Sequence, residues 1–404
     1  MYTTAAEILG KHAIEALFQP IEIARGLPGI AYTSQEFFDL EQRVLFPKTW
    51  VGVGFDTDIP APGDAIPITA SGLPLIIVRD RKGLVRAFHN VCRHRATIIL
   101  QKPETGLSNL QCPYHAWTWD LEGNLKATPY FDGTPNSENF KVDPKKNGLV
   151  PVRCDVWNHV VFINLDGNAL PLEEYVAPAA EQYSCFDLDT MKLGHRIEWE
   201  YDANWKLVND NWENYHNTWI HAGIFDKMSD EVNVGTGELY TDQLAAGSVI
   251  TLAGNDKRPP DARKPSGPRP KMSLPVPLRS GAKRGGGSNA ILPNTTVSWG
   301  GPTYAPVVYT PIAPNRTRAR MAFYFAGDAA TSDKYAEARD ESLKRWLGHT
   351  QTLEDLSGIR PQDHHCMELQ QRARMSPAAD RVQFSPTWEN SIHYFQKWVV
   401  EHLS

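Results

Sequence analysis

No run of eighteen or more apolar residues occurs in the 404-residue chain, so nothing in it reads as a membrane-spanning helix. Its start, MYTTAAEILGKHAIEALFQP, lacks the basic segment, apolar core and cleavage site of a secretory leader. These two absences point to a soluble, cytoplasmic protein with no membrane partner. An excess of basic charge is missing too: 41 Lys and Arg stand against 47 Asp and Glu, a net charge of −6 that argues against nucleic acid as a partner. Cysteines are few and odd in number, five in all, which speaks against a disulfide framework and directs attention to metal ligation. No Gly-x-Gly-x2-Gly opens a helix after a strand, so a dinucleotide site is not expected within the chain. Aromatic residues, in contrast, are plentiful: 12 Trp and 14 Tyr can serve a core, an interface or an aromatic-walled pocket.

The length allows two to three domains, or one large domain with an appended module. Apolar spacing predicts helices over residues 4–18 and 34–46, the second opened by Ser34 as a capping acceptor. From Trp50 the texture becomes β, with LPLIIV (73–78) and LVRAFHN (84–90) flanking a turn at Asp80-Arg81-Lys82-Gly83. This module closes near VVFINLDG (160–167), and an acidic, linker-like stretch (166–178) follows. Residues 255–288 hold nine Lys or Arg against two Asp among many Pro and Gly, and read as a flexible basic loop. Beyond it, residues 290–326 alternate like antiparallel strands, with Trp299, Tyr309 and Phe323 as aromatics for core or pocket. A closing amphipathic helix ends the chain.

Inside the β module, Cys92-x-His94 and Cys112-x2-His115 are separated by seventeen residues. Each pair follows a β segment, so two thiolates and two imidazoles meet on facing loops as a four-ligand metal site. Zinc would accept the same set. Because each loop supplies one Cys and one His, a two-iron cluster can place both sulfurs on one iron and both imidazoles on the other. Cys154, Cys185 and Cys366 have no such spacing and read as reduced structural thiols.

CRHRAT and CPYHAWTWD resemble the cluster-binding loops of Rieske-type non-heme iron oxygenases, and LVRAFHNVCRHR resembles the strand leading into them. That family usually has Gly where this chain has Ala96 and Ala116. The resemblance covers residues from about 40 to the end. It implies an α+β chain in three parts: helices over 1–47 packing on the catalytic domain, an all-β Rieske [2Fe-2S] domain over 48–165, and a catalytic domain over 166–404. The last is an antiparallel sheet wrapped around helices, a helix-grip or START-like arrangement.

In the stretch 204–221, Glu213 and His216 are three apart and share a helix face. His216 and His221 are five apart, about 140° out of alignment on a regular helix, so the helix must widen, bend or end between them. Two His and one carboxylate form the facial set that leaves positions open on mononuclear Fe(II). By resemblance to the family's C-terminal helix, the carboxylate is Asp363 in PQDHHCMELQQ, with Asp355 the runner-up and His364 and His365 as neighbours. The resemblance further makes Glu213 the carboxylate that joins His216 to His115 of the next subunit in a homotrimer, with Asp210 a second candidate. Asn211 matches the family's Asn near the iron. Glu213 stands where most ring-dihydroxylating members have Asp, as in the subgroup acting on quaternary ammonium compounds.

The expected function is that of a terminal oxygenase. It would use O2 and electrons from NAD(P)H, delivered by a separate reductase or ferredoxin, to hydroxylate or demethylate a small organic substrate such as a quaternary or methylated amine. Ring hydroxylation or O-demethylation of an aromatic acid is the alternative within the class. A non-catalytic iron–sulfur carrier is the alternative outside it.

Overall fold

The computed structural model describes residues 4–133, 142–221, 224, 228–255, 257, 273–281, 287–299 and 302–403. Contacts divide the chain into two compact units, Phe46–Leu172 and a discontinuous unit made of Met1–Leu45 with Glu173–Ser404. Most of the expected basic loop, and the side chain of Trp299, lie outside the described residues.

The continuous unit is built of β1 (Val51–Phe55), β2 (Ala65–Ala70), β3 (Leu73–Arg79), β4 (Val85–His89), β5 (Leu110–Gln111), β6 (Thr118–Trp119), β7 (Leu125–Ala127), β8 (Pro151–Trp157) and β9 (Val160–Asn164). A six-stranded sheet runs in the order β1-β9-β8-β4-β3-β2, and β5-β6-β7 form a smaller one. β3 is an unbroken apolar run because Leu75, Ile76, Ile77 and Val78 are all buried. The predicted β3–β4 turn is present. Asp80 Oδ1 accepts from the amides of Lys82 (2.8 Å) and Leu84 (2.9 Å), Arg86 Nε reaches Oδ2 at 2.7 Å, and Gly83 takes the left-handed φ of 86° that the turn needs.

The discontinuous unit carries β10 (Met191–Tyr201), β11 (Thr241–Ala246), β12 (Val249–Gly254), β13 (Gly287–Ile291), β14 (Thr295–Trp299), β15 (Thr303–Ala313) and β16 (Arg316–Ala326). They form one antiparallel sheet in the order β10-β16-β15-β14-β13-β12-β11. Helix Ile359–Ala373 lies against it, with Trp199 Nε1 donating to His364 Nδ1 at 2.7 Å and Gln371 Oε1 accepting from the Asn204 amide at 2.9 Å. Helix Asn390–His402 receives the N-terminal segment: Leu27 N donates to Gln396 Oε1 (2.7 Å), and His393 Nε2 lies 2.7 Å from the Leu17 carbonyl.

Several boundaries differ from expectation for local reasons. The first helix is two, Ala5–Leu9 and Lys11–Leu17, because Gly10 at φ 84° interrupts it. Ser34 caps as predicted, accepting from Phe37 N at 3.2 Å, but the helix turns π-helical over Glu41–Leu45. That widening coincides with Glu41, whose buried carboxylate takes Lys206 Nζ (2.6 Å) and Trp205 Nε1 (2.9 Å). The stretch read as a linker forms helices Leu172–Tyr175 and Ala177–Tyr183. All five cysteines are free, and burial followed by the Asp155 charge pushes the Cys154 thiol up to about 12, keeping it protonated and inert.

Candidate functional site

The four residues of the cluster motif lie on two loops of matching geometry, one leaving β4 and the other joining β5 to β6. In the first loop the Cys92 amide donates to the Thr97 carbonyl at 2.8 Å and the Ala96 amide to the Cys92 carbonyl at 3.0 Å. The second repeats both bonds at the same lengths with Cys112, Trp117 and Ala116. Each loop can close only if its fifth residue adopts a left-handed backbone, and Ala96 and Ala116 do so at φ 58° and 56°. The family's usual Gly therefore has a physical reason, and Ala keeps the same turn under strain.

The two thiols are buried, and the His94 and His115 rings meet edge-on with centroids 4.8 Å apart. Trp117 stacks on His94 at 5.0 Å and 6°, and Tyr114 lies tilted by 37° against His115 at 3.7 Å. His94 Nδ1 is buried without a hydrogen-bond partner among the described residues. Such an atom is expensive to leave unmatched, and a metal ion would satisfy it. Burial, with Cys112 beside it, raises the Cys92 thiol, an effect that a coordinated cation reverses. The donor set fits a two-iron cluster.

The stretch 204–221 is not one helix. Lys206–Asp210 and Asn217–Ile220 are short helices, and residues 211–216 between them are non-helical. Asn211 caps the first, and Glu213 Oε2 accepts from the amides of Tyr215 and His216, drawing the backbone out of the helical pattern. His216 and His221 then flank the second helix as its two caps. This break brings both imidazoles to one side.

His216, His221 and Asp363 place one ligand atom each within 4.8 Å of one another. Nε2 of His216 is 3.5 Å and Nε2 of His221 3.2 Å from Asp363 Oδ1. The other ring nitrogens are occupied: His216 Nδ1 meets Glu213 Oε1 at 2.5 Å, and His221 Nδ1 meets Gln362 Oε1 at 2.7 Å. Those acceptors fix both rings with Nε2 as the free electron pair, the tautomer a metal needs. Asn211 Nδ2 donates to Asp363 Oδ1 at 3.1 Å. Burial opposes a charge on His216, yet Asp363 and Glu213 outweigh it and push its pKa up to about 10. Burial likewise works against the Asp363 carboxylate, but the two imidazoles hold it well below the usual range. A proton on His216 thus stands where a divalent cation would give the same compensation.

Other residues singled out in the sequence lie elsewhere. Asp210 faces the opposite way, buried, with Oδ2 accepting from Tyr32 Oη (2.5 Å) and Oδ1 from Gln396 Nε2 (2.8 Å). Asp355 ties the loop before the ligand helix together, accepting from Thr350 and Ser357. His364 stacks on Tyr201 at 4.5 Å, and burial, with Arg360 adding to it, lowers its pKa to about 3. His365 is exposed. Tyr309 and Phe323 are buried in the sheet. Sequence reasoning missed Gln362, which orients His221 from the position just before Asp363, and Arg360, whose Nη1 lies 3.9 Å from Asp363 Oδ2. The only sequence signal for either is its position within a turn of a ligand.

Residues 49–138 match the Rieske [2Fe-2S] domain family, and residues 188–404 match the family described as ring hydroxylating alpha subunit (catalytic domain). The second match spans more than half of the chain, which therefore belongs to the alpha subunits of the Rieske non-heme iron oxygenases. It is an oxidoreductase whose cofactors are a Rieske [2Fe-2S] cluster and a mononuclear iron, with a reductase as partner and a small molecule as substrate. Among its relatives, the carnitine monooxygenase oxygenase subunit of Acinetobacter pittii is 27% identical over 392 residues, covering 94% of this chain and 95% of that protein. The glycine betaine monooxygenase oxygenase subunit of Pseudomonas aeruginosa is 27% identical over 402 residues, covering 93% and 89%. The fold is shared with a quaternary ammonium Rieske monooxygenase solved with γ-butyrobetaine, at TM-score 0.72, 22% identity and coverage of 97% and 99%. Naphthalene 1,2-dioxygenase from Rhodococcus shares it too, at TM-score 0.72, 18% identity and coverage of 98% and 99%. No helix among the described residues is long and apolar enough to cross a membrane.

Proposed function

We propose that this chain is the oxygenase component of a cytoplasmic system that hydroxylates or oxidatively demethylates a quaternary or methylated amine. The observation that carries the site assignment is the convergence of His216 Nε2 and His221 Nε2 on Asp363 Oδ1 while both Nδ1 atoms are engaged by acceptors. His216, His221 and Asp363 would hold Fe(II), and Cys92, His94, Cys112 and His115 would hold the cluster. When bound, the iron supplies the oxygen chemistry and the cluster the single electrons. The protein's part is orientation. Glu213 and Gln362 fix the imidazoles, and Asn211 holds the Asp363 carboxylate.

The assignment of substrate follows the relatives that act on carnitine and glycine betaine, together with Glu213 in the position where ring dihydroxylases usually carry Asp. Electrons come from NAD(P)H through the reductase. In a homotrimer, Glu213 would link His216 to the partner subunit's His115.

The test combines composition with turnover. Anaerobically purified protein should hold about three irons and two sulfides per chain with a Rieske-type visible spectrum. With a reductase it should release formaldehyde from a betaine-like substrate and not act on benzoate-like acids. Product from neither class overturns the substrate assignment. Full iron content with intact turnover in both His216→Ala and Asp363→Ala overturns the ligand assignment.

A further inference from the structure

A cleft of about 300 Å³ lies beside the edge strand β10, along the flank of helix Ile359–Ala373. Ile197, Trp199, Leu347, Leu353 and Pro361 form the apolar part of its wall, and Arg360 lies among the polar residues that complete it, with Glu198, Glu354, Gln351 and Thr352. Arg360 is only 6% exposed, and a buried guanidinium is costly unless it is paired and hydrogen-bonded. Its partners are poor. Nη1 stands 3.9 Å from Asp363 Oδ2, past hydrogen-bond reach, and the Trp346 ring lies 5.4 Å from Cζ. Nε has no hydrogen-bond partner among the described residues.

Nearby acids do not supply the missing charge. Glu198 is taken by Arg318 at 3.4 Å and Arg320 at 3.3 Å, and Glu354 sits on the exposed rim. Bound iron would make the shortage sharper, because it would engage the Asp363 carboxylate, the acid nearest Arg360 among the described residues.

We infer that the cleft binds the carboxylate of a small organic acid, with Arg360 as its counterion and the apolar wall taking the rest of the molecule. The inference rests on Fe(II) being held by His216, His221 and Asp363. A planar carboxylate matches the guanidinium fork with two parallel hydrogen bonds, whereas an ammonium head is repelled by it. The carboxylate has two sources, the substrate's own acid group or a separate acid.

Calorimetric titration of the iron- and cluster-loaded protein, in a buffer free of carboxylates, tests this with butyrate, n-butylammonium and 1-butanol. Butyrate should bind saturably, one per chain, and the cation should not. Arg360→Gln should weaken butyrate about ten- to a hundredfold, Arg360→Lys should weaken it less, and Leu353→Trp should block the cleft while leaving the guanidinium in place. Thermal melts and iron content show that each variant is folded and loaded. Displacement of butyrate by glycine betaine identifies the acid as the substrate's own; its absence identifies a separate acid, and either result supports the site. Equal binding of butyrate and n-butylammonium, full affinity in folded Arg360→Gln, or no saturable binding to the loaded wild type overturns the inference. Failure of the functional proposal appears separately, as missing iron or as the absence of any hydroxylated or demethylated product.

Discussion

Replacing Gln362 with Leu keeps the side chain's bulk and removes both of its polar contacts. Oε1 meets His221 Nδ1 at 2.7 Å, and Nε2 donates to the Leu356 carbonyl at 2.7 Å. Each bond contributes about 1 kcal/mol net, and depriving the buried His221 of this acceptor costs about 1–3 kcal/mol more. Part of that loss falls on folding. The rest falls on metal binding, because the ring is no longer held with Nε2 towards Asp363. Outer-sphere partners of this kind typically govern about ten- to a hundredfold in metal affinity, or about 1.4–2.7 kcal/mol. Anaerobic competition of Fe(II) against a chromophoric chelator measures it, and the cluster absorbance reports whether the Phe46–Leu172 unit is intact. Gln362→Glu restores an acceptor for Nδ1 but turns an oxygen on the Leu356 carbonyl, so it should recover metal affinity and lose stability. If folded Gln362→Leu binds Fe(II) within about threefold of wild type, the orienting role of Gln362 is refuted.

Ala96→Gly and Ala116→Gly should each stabilise the cluster-bearing unit by about 1 kcal/mol, since Gly carries no penalty at the left-handed φ of 58° and 56°; a lower melting temperature in either variant contradicts the strain argument. Burial pushes the Asp80 carboxyl up, but Arg86 and the amides of Leu84 and Lys82 prevail and hold it below its ordinary value. Its stabilisation is therefore complete above the unfolded pKa of about 3.9 and is lost as the pH falls through the lower folded value. Urea midpoints measured down the acid limb should show Asp80→Asn less stable at neutral pH and less pH-dependent below it. Because His216 in the metal-free chain has its pKa raised to about 10, loading Fe(II) at pH 7 should release about one proton per site. Calorimetric heats that do not vary with the ionisation enthalpy of the buffer would count against that.

The cluster loops were legible in the sequence because their chemistry is local: each pair of ligands, and the Ala that closes the turn, falls within five residues. Asp80 to Gly83 and the cap at Ser34 were legible for the same reason. The trio His216, His221 and Asp363 was only half legible. His216 and His221 stood at a spacing that a helix cannot align, and the solution, a break held by the Glu213 carboxylate on two backbone amides, depends on a rotamer that no spacing rule encodes. Asp363 came from family resemblance, and Gln362 meets His221 across 141 residues of chain, beyond the range of any periodicity. Asp210 stood as the second candidate to Glu213 for the acid beside the first His. Packing separates them, because Asp210 lies on the helix face that meets Tyr32 and Gln396.

The discontinuity of the larger unit bears on the order in which the two cofactors can be acquired. The cluster loops belong to Phe46–Leu172, a unit whose every strand precedes β10 in the chain and is therefore synthesised before any of it. The chain's first segment must wait, since the partners of Leu17, Leu27 and Tyr32 include Gln371, His393 and Gln396 near the other end. On the proposed ligand set iron would wait as well, because His216 and His221 meet Asp363 only when the helix Ile359–Ala373 docks. Biogenesis is thereby staged: a nascent chain can receive its iron–sulfur cluster while the oxygen-reactive centre does not yet exist.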